Sequence, residues 1–345
     1  MNWRLIKHLP LLLKRRSLIP KLLRNYKKLL IDHQPVLRTV DFSITAECPC
    51  RCEHCYIAPL TDHTRKPLDL EEKKSAIDQL MELGAVAINF MGGEPMCDPD
   101  LPALIAHVPR SEAVAVVTTN ALLLDEAGLD RLVNAGLGIL AISLDDPEPE
   151  GHDAQRGRAG TYAAAMAAIV AAEKRGVETI INSVVDERTL TDGRASRLVD
   201  LARKHGAKIN IALPAPFGSR VSDGPVPLSE AAAAEMARLR SQSHVRWDGQ
   251  SNYLRPGCTA GTEKISISAY GDVLPCGGIH LSFGNLRERP LRDIWRDMLA
   301  RPLFDGQHEG CPLSCDPEVI KNLVVPIRNA TGPKPLRAED FFGRK

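Results

Sequence analysis

The chain has 345 residues and a formal net charge of +1, with 44% hydrophobic and 25% charged residues, which is ordinary for a globular protein built as one large domain plus a smaller one. Aromatic residues make up only 4%, so no stacking platform points to a nucleic-acid partner. Nine cysteines, grouped at metal-ligand spacings in a chain too long for a small secreted scaffold, argue against disulfides and for a reducing, cytoplasmic setting.

Residues 1–35 read as a basic helical arm. Arg4, Lys7, Lys14, Arg15, Arg16, Lys21, Arg24, Lys27 and Lys28 fall within residues 1–31, where no acidic residue occurs. Pro10 and Pro20 divide the arm into two short helical pieces, and Pro20 suits a first helical position. In the second piece Ile19, Leu22, Leu23, Tyr26, Leu29 and Leu30 recur at helical spacing on one side. Lys21, Arg24, Lys27 and Lys28 lie mostly on the other. The apolar run from Leu9 to Leu13 is too short for a transmembrane helix, and also for a signal peptide. Two uses of the arm stay open. It lies on an anionic membrane surface or grips an acidic partner, or it packs its leucines on the rest of the protein or a second subunit with its basic face in water.

From residue 36 short β-rich runs alternate with helical stretches. Strands are expected at 39–45, 86–91, 113–118, 138–144, 177–185 and 208–213, and helices at 69–83, 99–108, 124–135, 160–175 and 190–205. Asp69 and Gly84 read as start and stop residues of the first helix. The alternation predicts a parallel sheet of right-handed βαβ units over residues 36–225. Six strands instead of eight make an open, partial TIM-type barrel, with chemistry expected at the C-terminal ends of its strands.

The loop after the first strand is Cys48-Pro49-Cys50-Arg51-Cys52-Glu53-His54-Cys55, followed by Tyr56. Cys48, Cys52 and Cys55 fall at C-x3-C-x2-C. Iron–sulfur clusters are held by thiolates, and three of them leave one iron of a four-iron cluster open, as metal catalysis requires. Cys50 is off this register and Cys97 is isolated, so both are expected to be inert. His54 is expected to be a spectator lining the loop. Asp145 and Asp146, at a strand end, are weak candidates for a general base, with a helix cap or turn as the alternative.

Residues 214–256 are rich in proline and glycine and lead through a helix at 229–241 into a second module, 226–325. Lys264 to Cys276 reads as a hairpin turning at Tyr270-Gly271-Asp272, and Cys311 with Cys315 adds a C-x3-C pair to Cys258 and Cys276. Four thiolates suit one auxiliary cluster or a zinc ion. Residues 326–345 are expected to be an extended or disordered tail.

Several motifs in order resemble those of the radical S-adenosylmethionine (radical SAM) family. Besides the cysteine loop these are Gly92-Gly93-Glu94-Pro95, Thr118-Thr119-Asn120 with Ala121 where glycine is usual, Ser143-Leu144-Asp145, and His152-Asp153 with Arg156-Gly157. Cys258, Cys276, Gly284-Asn285-Leu286-Arg287-Glu288 and Leu291-Arg292-Asp293-Ile294-Trp295 resemble that family's SPASM/twitch extension. The resemblance implies an α/β fold, a partial (β/α)6 barrel with a small twitch-like cluster module, and an enzyme. Its cofactors would be a SAM-binding [4Fe–4S] cluster, an auxiliary [4Fe–4S] cluster and S-adenosylmethionine. It implies that a reduced cluster cleaves SAM to a 5′-deoxyadenosyl radical, which takes hydrogen from a substrate. By resemblance Gly92, Gly93, Glu94, Pro95, Asn120, Ser143 and Arg156 bind SAM, with Glu94 on the ammonium and Arg156 on the carboxylate, and Asn182 faces the adenosyl site. An electron donor such as flavodoxin or ferredoxin is expected. The main expectation for the substrate is a small molecule or natural product. The alternatives are a ribosomal peptide, or a lipid met at the inner membrane surface by the arm, with a homodimer through the arm as another use of it. A non-enzymatic electron carrier is the competing class, and it has no use for the GGEP motif.

Overall fold

In the computed structural model, residues 15–216, 218–219, 228–247, 257–301, 303 and 311–343 are described. The first piece of the arm and linker residues 220–227 and 248–256 lie outside them. The six expected strands form as β1 (Thr39–Thr45), β2 (Ala87–Gly92), β3 (Val114–Thr119), β4 (Leu137–Ser143), β5 (Glu178–Val184) and β6 (Lys208–Ala212). All pair in parallel in chain order. The sheet is wider than six strands. β7 (Val245–Trp247) extends it beyond β6, while β8 (Lys264–Ile267) lies parallel beside β1 with β9 (Val273–Leu274) antiparallel outside it. The order β7-β6-β5-β4-β3-β2-β1-β8-β9 is an open barrel wall whose far edge comes from the C-terminal module. The expected hairpin thus forms, and its first strand completes the barrel sheet.

The connections are helical: α1 (Ile19–Leu30) in the arm, then α2 (Leu70–Glu82), α3 (Leu101–His107), α4 (Glu126–Ala135), α5 (Pro149–Arg156), α6 (Thr161–Lys174), α7 (Glu187–Thr191), α8 (Arg194–Lys204), α9 (Glu230–Arg240) and α10 (Leu291–Leu299). Asp69 caps α2 in a reciprocal box with Glu72, and Gly84 leaves it at φ +102°. Strand residues such as Phe42, Ile88, Phe90, Ile142 and Ile209 are fully buried with Ile77, Leu80, Leu104 and Leu198 of the helices. α5 and α7 were not anticipated; α5 has the sequence Pro-Glu-Gly-His-Asp-Ala-Gln-Arg, with no apolar row to betray it.

A second core of Ile279, Leu281, Leu313, Ile320, Leu323, Val324 and Ile327 lies under the C-terminal cysteines. The tail departs from expectation: Leu336–Arg337 pairs in parallel with Leu281–Ser282, and Ala338 is buried. Arg287 docks the module on the barrel, reaching Glu72 and the carbonyls of Lys66 and Pro67. The Asn285 amide donates within the module to Tyr270 O and to Asp272, which itself pairs with Arg65 of the barrel.

The arm helix crosses the N-terminal ends of the strands. Arg15, just before it, donates to Gly138 O and pairs with Glu178; Lys21 donates to Met81 O and pairs with Glu112; Asn25 donates to Gly84 O. Lys21 and Asn25 are buried whereas Leu23 and Leu30 are exposed. The expectation of leucines packed inward and a basic face in water is therefore reversed for half of the helix. Among the described residues no helix is long and apolar enough to cross a membrane.

Behind the Gly-Gly turn, Lys73 of α2 forms a buried ion pair with Asp98, with Asp100 Oδ2 at 3.9 Å. Asp98→Ala should destabilise the fold by about 3 kcal/mol, the lower end of what an orphaned buried charge costs, because Asp100 remains nearby. Urea unfolding measures this, and a change under about 1 kcal/mol would show that the pair is not structural.

Candidate active site

The C-terminal ends of β1 to β6 surround a cavity of ≈790 Å³. The cysteine loop enters it from β1 and is held on both sides by backbone. Gly93 N donates to Thr45 O at 2.9 Å and Glu94 N to Glu47 O at 2.7 Å; opposite, Arg51 N donates to Arg156 O and Glu53 N to Gln155 O, each at 3.0 Å. A Cβ on Gly92 would lie 2.2 Å from Thr45 O, and one on Gly93 2.2 Å from Glu47 O. Only glycine lets these backbones approach so closely.

Cys48, Cys52 and Cys55 all line the cavity. Cys48 Sγ accepts from Cys50 N at 3.4 Å and Asn120 Nδ2 at 3.8 Å, and Cys52 Sγ from Arg156 Nη1 at 3.8 Å. The Cys50 thiol donates to Cys48, which holds Cys48 down to about 7 and pushes Cys50 far up. Burial raises Cys52 and Cys55, the latter against hydrogen bonds from the backbone of Ile57 and Ala58. Donors aimed at sulfur are what a thiolate-ligated cluster uses to tune its potential. Cys50 also lines the cavity but is engaged with Cys48. Cys97 sits in the turn after Glu94, does not line the cavity, and is pushed up to about 11 by burial and by the Glu94 charge.

Glu94 is 1% exposed. Its carboxylate accepts from Thr119 Oγ1 at 2.6 Å, Asn120 N at 2.8 Å and Met96 N at 3.1 Å. Burial still carries its carboxyl above the usual range, so the group gains from a further cation. Pro95 is buried behind it. Ala121 follows at φ +65°, a left-handed conformation that a glycine adopts without strain.

Ser143, Asp145, Arg156 and Asn182 line the opposite wall, whereas Asp146 does not. Arg156 Nη2 stands 2.6 Å from Asp145 Oδ2, close as an ion pair but not aligned as a hydrogen bond, and Arg156 Nε has no hydrogen-bond partner among the described residues. Asp145 is wholly buried; burial would raise its carboxyl, but Arg156 and His54, 3.6 Å away, hold it below the ordinary value. Asp146 pairs with Arg194 and accepts from Glu148 N, the contacts of a turn residue. His152, lowered to about 4 chiefly by burial, accepts from Asp145 N.

Cys258, Cys276 and Cys311 line the same cavity from the C-terminal side, while Cys315 stands behind. Burial and the neighbouring Cys258 push Cys276 up to about 12. The two cysteine sets meet at Tyr56: a Cβ on Gly277 would lie 2.6 Å from its ring, and buried His280 donates through Nε2 to Tyr56 O at 2.8 Å. Among the described residues no three His, Cys, Asp or Glu side chains converge on a single metal ion.

The part of the cavity that enters the barrel is polar. Lys264 of β8 pairs with Asp41 at 2.7 Å, Asn89 donates to Asp41 at 2.9 Å, and Thr118 donates to Asn89 at 2.8 Å. Asn210 lies on the same wall. Apart from Thr118, quoted within the Thr118-Thr119-Asn120 motif, sequence reasoning missed these residues. Their signal was alternation, since a parallel sheet covered on both faces should read as continuously apolar.

The residues fit the groups expected of them: three thiols, a buried carboxylate and a guanidinium with an unused N–H line one space. A family model described as the radical SAM superfamily matches residues 42–194, and one described as an iron–sulfur cluster-binding domain (SPASM) matches 258–316. The chain is 30% identical over 298 residues to PqqA peptide cyclase of Xanthomonas campestris, covering 79% of each chain. It is 26% identical over 290 residues to AdoMet-dependent heme synthase of Methanosarcina barkeri, covering 75% of this chain and 82% of that one. Streptococcus suis SuiB bound to precursor peptide SuiA shares the fold at a TM-score of 0.62 and 18% identity, over 82% of this chain and 70% of that one. Tagged anSMEcpe with bound AdoMet does so at 0.59 and 17%, over 76% and 80%. On the matched domains and the peptide cyclase relative, this chain belongs to the radical SAM superfamily, with a C-terminal SPASM module, and is an enzyme using S-adenosylmethionine and [4Fe–4S] clusters.

Proposed function

We propose that this enzyme modifies a peptide by hydrogen abstraction. Cys48, Cys52 and Cys55 would hold the cluster whose open iron takes SAM, and Cys258, Cys276, Cys311 and Cys315 an auxiliary cluster. The carrying observation is that thiols of both sets face one ≈790 Å³ cavity at the open ends of the strands. The peptide cyclase relatives and the fold shared with a protein bound to its precursor peptide support a peptide over the small molecule first expected. The arm crosses the other end of the barrel, so it brings no lipid to this cavity. The heme synthase relatives favour one second reading, an iron-porphyrin substrate.

Bound SAM supplies a 5′-deoxyadenosyl radical by reductive cleavage, given a one-electron donor such as flavodoxin or ferredoxin. The chain's own residues position and shield. Glu94, deprived of water, would accept from the methionine ammonium of SAM, and the Arg156 guanidinium would pair with the SAM carboxylate. Asp145 orients Arg156 and does not act as a base, being buried and ion-paired. Ser143 would donate to the ribose or carboxylate, and Asn182 would meet the adenosyl group, both from the cavity wall. Asp41, Asn89, Thr118 and Lys264 offer polar anchoring to a side chain entering the barrel.

Glu94→Gln should raise the KM for SAM roughly ten- to a hundred-fold, the worth of a hydrogen bond to a charged group, with iron content unchanged; an unaltered KM would remove Glu94 from SAM binding. Cys50→Ser should retain both iron and 5′-deoxyadenosine formation, whereas Cys52→Ser loses the SAM-cleaving cluster; the opposite pattern means the C-x3-C-x2-C register is misassigned. For the substrate, reduced holoenzyme is offered a deuterated form of any short peptide found encoded beside its gene, and separately deuterated iron-coproporphyrin. Deuterium in 5′-deoxyadenosine from the peptide is expected. Deuterium from the porphyrin alone would end the peptide proposal.

A further inference from the structure

The arm helix turns its apolar row to solvent. Ile19, Leu23 and Leu30 are 36%, 64% and 54% exposed, and Ile31, directly after α1, is 67% exposed. Ile19, Leu23 and Leu30 stand at i, i+4 and i+11, one side of a helix, with half-buried Tyr26 completing the row at i+7. The rotation of the helix is set by its other side. Burying an ammonium is costly unless it is paired and hydrogen-bonded, and Lys21 is tied to Glu112 and Met81 O while Asn25 is tied to Gly84 O. Turning the leucines inward would break all three contacts.

Single exposed leucines are ordinary, but a contiguous row of large apolar side chains marks an interaction surface. Its chemistry follows from the flanking charge. Exposed Arg16 and Lys27 border the row, with exposed Arg24 further round the helix, and residues 1–14 continue the pattern in sequence, with Arg4, Lys7 and Lys14 among Trp3, Leu5, Ile6 and Leu9. No acidic residue precedes Asp32. A second copy of this helix would meet it with like charge. An anionic lipid surface satisfies both parts: the apolar row enters the acyl boundary while the long cationic side chains reach back to the headgroups.

We propose that α1 is a membrane-docking element that seats this enzyme on an anionic lipid surface through Ile19, Leu23, Leu30 and Ile31. The docked end is the one the strands start from, so the cluster cavity opens away from the bilayer. The proposal is independent of what the cavity modifies.

Flotation of full-length, cluster-loaded protein with phosphatidylserine–phosphatidylcholine vesicles tests it, with phosphatidylcholine-only vesicles as control. Wild type should float with the anionic vesicles, and less so as salt is raised. Leu23→Asp/Leu30→Asp should lose at least about ten-fold in partitioning, given what burying two leucines is worth. Arg16→Glu/Lys27→Glu should lose roughly ten-fold or more by removing surface cations. These side chains are remote from the cavity, so unchanged SAM cleavage and melting temperature verify that both variants are folded. Equal flotation of the leucine variant and wild type overturns the assignment, as does equal binding to neutral vesicles. It also falls if nothing floats and wild type is a dimer that the leucine variant dissolves; the row then belongs to a second copy.

Discussion

The site depends on how closely two backbones can pass. Thr45 and Glu47, leaving β1, point their carbonyls at the turn that ends β2, and that turn can stay only because Gly92 and Gly93 carry no side chain. The contact is doubly hydrogen-bonded, so Cys48 and Glu94 share one rigid unit. Arg51 and Glu53 are bound in turn to the end of α5, where a Cβ on Gly157 would lie 2.5 Å from Arg51 O. The cysteine loop, which has no regular structure of its own around the thiols, is thus fixed at both flanks. This is the preorganisation a reactive centre needs from its scaffold.

Local pattern carried much of the fold. β1 matches its expected span, and the other five strands fall within about two residues of theirs, because Phe42, Phe90, Val117, Ile142 and Ile209 each mark a buried face between turn residues. The motifs fell at strand ends for the same reason. What escaped notice was non-local. Nothing in Lys264-Ile265-Ser266-Ile267 says that it will lie beside a strand more than two hundred residues earlier, since pairing partners are chosen by tertiary packing. The rotation of α1 was equally hidden, because it turns on Glu112 and two carbonyls that periodicity cannot see. Within the site, thiol spacing singled out Cys48, Cys52 and Cys55, but that the Cys50 thiol donates to Cys48 follows only from the loop's shape.

The two cysteine sets are connected through few atoms. Tyr56 follows Cys55, Gly277 follows Cys276, and the ring of one lies on the backbone of the other. His280, kept neutral by burial, holds the Tyr56 carbonyl, and the Tyr56 hydroxyl donates to Met91 Sδ at 3.7 Å. Arg287 on Glu72, and Asn285 through the Asp272 that pairs with Arg65, supply the outer fastening, which gives the module's GNLRE segment a mechanical purpose.

The place of β8 in the sheet has a consequence for how the protein comes apart. A ladder of backbone hydrogen bonds runs from β7 to β9 without a break, so the boundary between barrel and SPASM module is not a boundary in cooperativity. Melting the module would strip β1 of its neighbour and leave the strand that feeds the cysteine loop as a raw sheet edge, which invites association with other chains. The family match divides the chain into two parts, but the free energy of folding holds them as one.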